Sequence, residues 1–238
     1  MEDFFLKLSI MLVPVTFAIV CHEVSHGFVA WHYGDPTARM LGRLTLNPIK
    51  HIDLMGTIIV PLLLVLSNSG ILFGWAKPVP VTYENLRNPK RDMIWVAAAG
   101  PITNILLATV SAFLLRGIGA LSNTAVSGSS LAMFLNPLML MLAYSVYINL
   151  LLAIFNMVPL PPLDGGRVLV GLLPHRQAMA LASLERYGIF IILFIFLVLP
   201  RYFGIDVFRL FILPLLYFVT KLLAGQQSAL ILDLAHLL

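Results

Sequence analysis

The sequence predicts an all-α polytopic membrane protein with five to six membrane segments and short β-hairpin or re-entrant elements between them. Three observations carry this. Of the 238 residues, 60% are hydrophobic and 11% charged, against about 25% charged in ordinary soluble chains. The mean hydropathy is +0.95. Apolar runs close to the roughly twenty residues that a helix needs to cross the hydrocarbon core recur along the chain. A soluble fold is excluded by this composition.

The spanning runs are residues 4–31, 93–116, 131–158, 178–199 and 207–223. A sixth, 54–66, is too short to cross comfortably. The first run has no basic leader and no small-residue cleavage site, so it is expected to stay in the mature protein. Between the runs, 35–53 alternates Ala38, Met40, Gly42, Leu44 and Leu46 with Arg39, Leu41, Arg43 and Thr45. That period of two predicts a short hairpin. Residues 70–92 are rich in glycine, proline and charge, and the stretch from Phe73 to Val81 is expected to be an extended, proline-marked edge strand. No internal repeat or low-complexity run interrupts the chain. It is expected to form one membrane domain over 1–238, with a core of about 1–170 and further helices over 171–238. The tail, 224–238, is expected to be either an interfacial amphipathic helix or a frayed end.

The net charge of +4 comes without a basic run interleaved with aromatics, so it indicates topology and not nucleic-acid binding. A single cysteine, Cys21, forms no internal disulfide. It is one residue from His22, about 100° around a helix, and is expected to be a packing residue.

Inside the first apolar run lies His22-Glu23-Val24-Ser25-His26. Residues four apart share a helix face, so the two histidines can grip one zinc ion, while Glu23 reaches the water that such an ion activates. Polar groups of this kind do not persist cheaply in hydrocarbon. A catalytic zinc takes three protein ligands, so a further donor must come from far along the chain. Asp164 stands out, in Asn156-Met157-Val158-Pro159-Leu160-Pro161-Pro162-Leu163-Asp164-Gly165-Gly166-Arg167, where prolines break an apolar helix and glycines permit close backbone approach. Its alternative role is to cap the helix that follows. His32, His51, His175 and His236 fall in connectors or the tail and are expected at the surface.

Together, His22-Glu23-Val24-Ser25-His26, Leu163-Asp164-Gly165 and Gly100-Pro101 followed by Asn104 resemble the site-2 protease family of intramembrane zinc metalloproteases, over about residues 17–170. The resemblance implies one Zn2+ per chain bound by His22, His26 and Asp164, with Glu23 as general base and acid. It implies for Asn156 a place near the oxyanion or the substrate backbone. The substrates it implies are transmembrane segments of other proteins, cut within or beside the bilayer. The soluble peptide-binding and nucleotide-sensing domains of other branches have no counterpart here, and 54–66 is an addition, so the chain looks like a minimal, core-only, prokaryotic type.

For Asp164 to meet the two histidines, the first spanning helix and 131–158 must run the same way, which requires 54–75 to enter the membrane and return. The lysines and arginines agree with a first helix whose N-terminus is outside. Arg39, Arg43, Lys50, Lys77, Arg87, Lys90, Arg91, Arg167, Arg176, Arg186 and Lys221 then fall toward the cytoplasm, leaving Lys7, Arg116, Arg201 and Arg209 outside. The site is expected to open toward the cytoplasmic side of the cell's inner membrane. Two other function classes fit parts of the pattern: a zinc-binding scaffold that does not cut, and an ion transporter using the intramembrane His, Glu and Asp. The transporter reading leaves the histidine spacing unexplained.

Overall fold

The computed structural model describes residues 2–66, 74–122 and 130–236. The helices are α1 (Glu2–His32), the single turn α2 (Thr37–Met40), α3 (Val60–Leu66, led by a π-helical stretch Leu54–Ile59), α4 (Pro89–Ser122) and α5 (Ser130–Asn156). They continue as α6 (Asp164–Leu172), α7 (His175–Ala182), α8 (Gly188–Leu193, prolonged as a π-helix Phe194–Phe203), α9 (Leu213–Ala224) and α10 (Ser228–His236). Five stretches are long and apolar enough to cross a membrane: Ile10–His32, Pro89–Ala120, Met133–Asn156, His175–Phe203 and Phe208–Asp233. The protein is an all-α polytopic membrane protein.

Helix directions follow from named hydrogen bonds. His26 of α1 meets the carbonyl of Val96 in α4, and Ala18 O, eight residues earlier, meets Asn104, eight residues later. The two helices are therefore antiparallel. Asn104 and Ser111 of α4 likewise meet Asn149 and Ser145 of α5 in descending order. So α1 and α5 run the same way, as a shared site requires. Ala108, Ala112 and Ala143 let α4 and α5 approach closely, as small residues do between membrane helices. Leu115, Val146, Leu150, Leu216 and Ile231 complete that core. Phe113, Phe134, Phe190 and Phe211 are exposed on the outside of the bundle.

Trp75, beyond the short apolar segment, lies beside the start of that segment. Trp75 N donates to Gly56 O at 3.0 Å, and the indole lies where a side chain at residue 56 would be. Residues 70–73 of the expected return, including Phe73 of the expected strand, lie outside the described residues.

The hairpin expected in 35–53 does not form. The Asp35 carboxylate accepts from Thr37 N and from Thr37 Oγ1, and the bonds Met40 N→Pro36 O and Leu41 N→Thr37 O wind the chain into α2. A turn at Gly42 (φ 63°) and a 3₁₀ turn Pro48–His51 follow. Local side-chain and backbone bonds outcompeted an alternation that had no partner strand. The expected edge strand over 74–81 also lacks a ladder. Its N–H groups at Trp75, Lys77 and Val79 are used inward, on Gly56 O, His51 O and Glu23 Oε2. Residues 224–238, expected as an interfacial helix or a frayed end, contain α10, and Ile231 there is fully buried in the core.

Lys221 also moves from its expected side. A side chain at Gly225 would touch Arg116 Nη2, and one at Gly119 would touch Gln227. Because α4 runs away from Val96 toward Arg116, the end of α9 lies at the far end of the bundle, with Arg116.

Candidate metal centre and active site

His22 and His26 stack one helical turn apart on α1, ring centroids 4.7 Å apart and planes at 83°. Asp164 reaches them from the start of α6. Its Oδ2 lies 3.1 Å from His22 Nε2 and 3.5 Å from His26 Nε2. Among the described residues this is the group of three metal-binding side chains whose ligand atoms converge, all within 4.8 Å of one another. The N-cap of α6 is Leu163 and Asp164 is the first residue of the helix, so Asp164 does not occupy the capping position.

Close backbone packing puts Asp164 there. Side chains at Gly165 and Gly166 would run into Met157 O, Val158 O and Pro161 N, so only glycines let α6 start against the proline loop. On the other side, a Cβ at Gly100 of α4 would be 2.5 Å from His22 Cε1 and His26 Nε2. The missing side chain leaves the space beside both rings.

The donor set fits a cation. His26 Nδ1 is 2.7 Å from Val96 O. A carbonyl only accepts, so Nδ1 carries a hydrogen, and in the neutral ring Nε2 then carries the lone pair. His22 Nδ1 donates to Asn104 Oδ1 at 2.5 Å, which leaves its Nε2 in the same state. Asp164 Oδ2 is buried without a hydrogen-bond partner. With both rings neutral, three electron-pair donors face one another with no hydrogen between them. Charging both rings instead would set two cations 4.7 Å apart. Two imidazoles and a carboxylate with an open side form a zinc donor set of the catalytic kind.

Glu23, the next residue round α1, accepts a hydrogen bond from Val79 N at 2.8 Å through Oε2. The Val79 side chain is buried and would touch a Cβ at Gly27, so this connector lies across the motif helix. Asn156, at the end of α5, donates to Leu152 O of its own helix at 3.0 Å, and no hydrogen bond joins it to the three convergent ligands. Cys21 is half-buried, and burial of this kind suits the packing role expected of it. His32 and His175 are exposed as expected, but His51 is buried, with Nε2 2.9 Å from Thr45 O. Its position under the 3₁₀ turn Pro48–His51 takes it off the surface. Asn149 and the carbonyl of Val96 carried no motif. A lone asparagine in an apolar helix was the one available signal for Asn149, and a backbone carbonyl leaves none.

A family model described as "Peptidase family M50" matches residues 10–199. The chain belongs to this family, that of the site-2 proteases. It is 37% identical over 187 residues to "Putative zinc metalloprotease YwhC" of Bacillus subtilis, covering 78% of this chain and 80% of that one. It is 30% identical over 184 residues to "Putative zinc metalloprotease Rip2" of Mycolicibacterium smegmatis, covering 77% and 64%, respectively. The Mycobacterium tuberculosis protein of the same name is 26% identical over 196 residues, covering 79% of this chain and 67% of its own length. No solved structure matches. Family and names together support a zinc metalloprotease embedded in a membrane.

Proposed function

We propose that the chain is an intramembrane endopeptidase that hydrolyses peptide bonds within or next to transmembrane segments. One Zn2+ would be held by His22, His26 and Asp164. The observation that carries this is the convergence of His22 Nε2, His26 Nε2 and the unpartnered Asp164 Oδ2 inside a spanning helix, one residue from Glu23. Zinc, when bound, supplies Lewis-acid chemistry, making a water nucleophilic near neutral pH and polarising the peptide carbonyl.

Glu23 takes the proton of the attacking water and returns it to the leaving amine. Val79 N–H holds Oε2, which fixes the carboxylate and leaves Oε1 for the proton. Asn156 would donate to the oxyanion or to the substrate backbone once its amide leaves Leu152 O. A substrate helix must unwind before attack, since its carbonyls are tied up in its own hydrogen bonds. The 75–81 connector, which lies across the motif helix through the Val79 N–H bond to Glu23, is the candidate partner for the unwound stretch. The basic residues in the connectors at the His26 end favour a site on the cytoplasmic side of the cell membrane.

The test uses purified protein in lipid nanodiscs, with zinc content and cleavage of a single-span peptide both measured. Glu23→Gln is expected to keep zinc and lose at least about 10²-fold in cleavage, the lower bound for a missing general base. Activity within tenfold of wild type removes Glu23 from its role. Stoichiometric zinc with no cleavage of any transmembrane substrate by wild type selects the non-cutting scaffold, and absence of zinc selects the transporter class.

A further inference from the structure

A chain of buried polar side chains leads from the metal centre into the bundle. Asn104 and Asn149 are 0% and 1% exposed, and Ser111 closes the chain at 8%. Asn149 Nδ2 donates to Ser145 O at 2.9 Å and to Ser145 Oγ at 3.3 Å, and Ser145 Oγ bonds Ser111 Oγ at 2.9 Å. Asn104 Nδ2 donates to Asn149 Oδ1 at 2.8 Å and to Ala18 O at 3.3 Å.

Backbone carbonyls fix the direction of the bonds that run from Asn149 to His22. Ser145 O can only accept, so Asn149 must turn its amide nitrogen there and its oxygen toward Asn104. Asn104 must then give its nitrogen to Asn149 and to Ala18 O, which leaves only its oxygen for His22. An oxygen acceptor 2.5 Å from His22 Nδ1 requires the ring hydrogen on Nδ1. A flipped Asn104 would set its oxygen against two other acceptors, Asn149 Oδ1 and Ala18 O, neither with a hydrogen to give, in a medium without water, where unmade hydrogen bonds cost most.

We propose that Asn149 is a positioning residue for the metal centre: acting through Asn104, it holds the hydrogen of His22 on Nδ1 and so keeps Nε2 as the electron-pair donor. This rests on His22 being a zinc ligand. Partners one shell behind a ligand typically change metal affinity 10- to 100-fold when removed. Asn149 acts one side chain further back. The Ala18 O bond, at 3.3 Å, remains to steady Asn104 when Asn149 is lost, so the lower part of that range applies.

Asn149→Leu keeps the volume and removes both amide functions, and Asn149→Asp keeps an oxygen for Asn104 Nδ2. Zinc affinity, measured by chelator competition in nanodiscs, is expected to fall about 10-fold or more in the Leu variant and to stay near wild type in the Asp variant. Ser111→Ala, at the far end, is expected to change nothing. A merely structural role for Asn149 predicts equal effects of Leu and Asp, or none from either, and both results overturn the proposal. The second measurement needs no zinc. Nitrogen-15 spectra of the His22 ring in metal-free wild-type protein at mildly alkaline pH are expected to show hydrogen on Nδ1 alone, and in the Leu variant a mixture of both forms. Hydrogen on Nε2 in the wild type overturns the proposal. A wild type that binds no zinc but shows the Nδ1 form condemns the zinc reading and leaves the polarity chain standing.

Discussion

Gly100→Ala separates the helix from the site it lines. In the middle of α4, alanine should stabilise the helix by about 1 kcal/mol relative to glycine. The new methyl would nevertheless sit 2.5 Å from His22 Cε1 and His26 Nε2 and 2.6 Å from His22 Nε2. Ordinary van der Waals contact between such atoms begins near ~3.5 Å, so the two rings and α4 must separate by about 1 Å. The rings cannot simply swing aside. His22 Nδ1 is tied to Asn104 and His26 Nδ1 to Val96 O, both on α4 itself. Moving either ring therefore breaks a buried bond, and moving α4 opens the seam with α1. A misplacement of about 1 Å at reacting groups costs on the order of 10²-fold in rate. The expected result is thus a helix content at or above wild type, zinc affinity lowered by about 100-fold and cleavage lowered at least as much. Zinc content by mass spectrometry, circular dichroism and peptide cleavage in nanodiscs read the three quantities. Full zinc occupancy and full activity in Gly100→Ala would refute the placement of α4 against both histidines.

Asp164→Ala is expected to abolish stoichiometric zinc while the protein remains folded; unchanged affinity would mean that the third ligand is another residue. Asp35, fully buried, accepts from Thr82 N at 2.7 Å, Asn85 Nδ2 at 3.0 Å and the turn at Thr37. Burial works against its charge, but the bonds from Thr37, Asn85 and Thr82 outweigh burial and hold the carboxyl below its ordinary value. Its stabilising contribution is therefore complete above the unfolded value near ~4 and is lost as pH falls through the lower folded value. Asp35→Ala should destabilise by about 3 kcal/mol at pH near ~7, with the difference from wild type shrinking once pH drops below ~4. A difference that stays constant from neutral to acid pH in denaturant titrations contradicts this. Two glycines inserted after Ala76 should free Glu23 from Val79 N–H and lower cleavage with zinc intact; unaltered turnover would make the connector a linker only.

Much of the arrangement was legible because the bilayer narrows the choices. A run of twenty apolar residues has one stable form there, and each of the five runs became one of the five candidate spans, with ends shifted by up to about ten residues. The HExxH spacing translated directly into two rings on one face of α1. Asp164 was legible through its glycines, whose absent side chains are what admit the proline loop. The interfacial connectors were not legible. There, alternation at 38–46 competed with short-range bonds from Asp35, and side chains bonding their own backbone decided the outcome. Tautomer control was hidden for a different reason. It depends on carbonyls of Val96, Ala18 and Ser145, which every residue possesses and no pattern marks.

The three ligands are thus placed by different means, and this orders how the site should fail. His22 and His26 share α1 and are both referenced to α4, one through an asparagine side chain and one through a backbone carbonyl. Changes along the α1–α4 seam act on both rings together. Asp164 depends instead on the loop after α5 and the first turn of α6, where Gly165 and Gly166 meet Met157, Val158 and Pro161. Substituting Gly165 should displace the carboxylate alone and leave the histidine pair in register. A site that has lost Asp164 in this way keeps two neutral imidazoles one turn apart, a pair that still binds zinc, only more weakly and with more open positions. Gly165→Ala should therefore reduce zinc affinity while His22 retains its hydrogen on Nδ1. Gly100→Ala should disturb both.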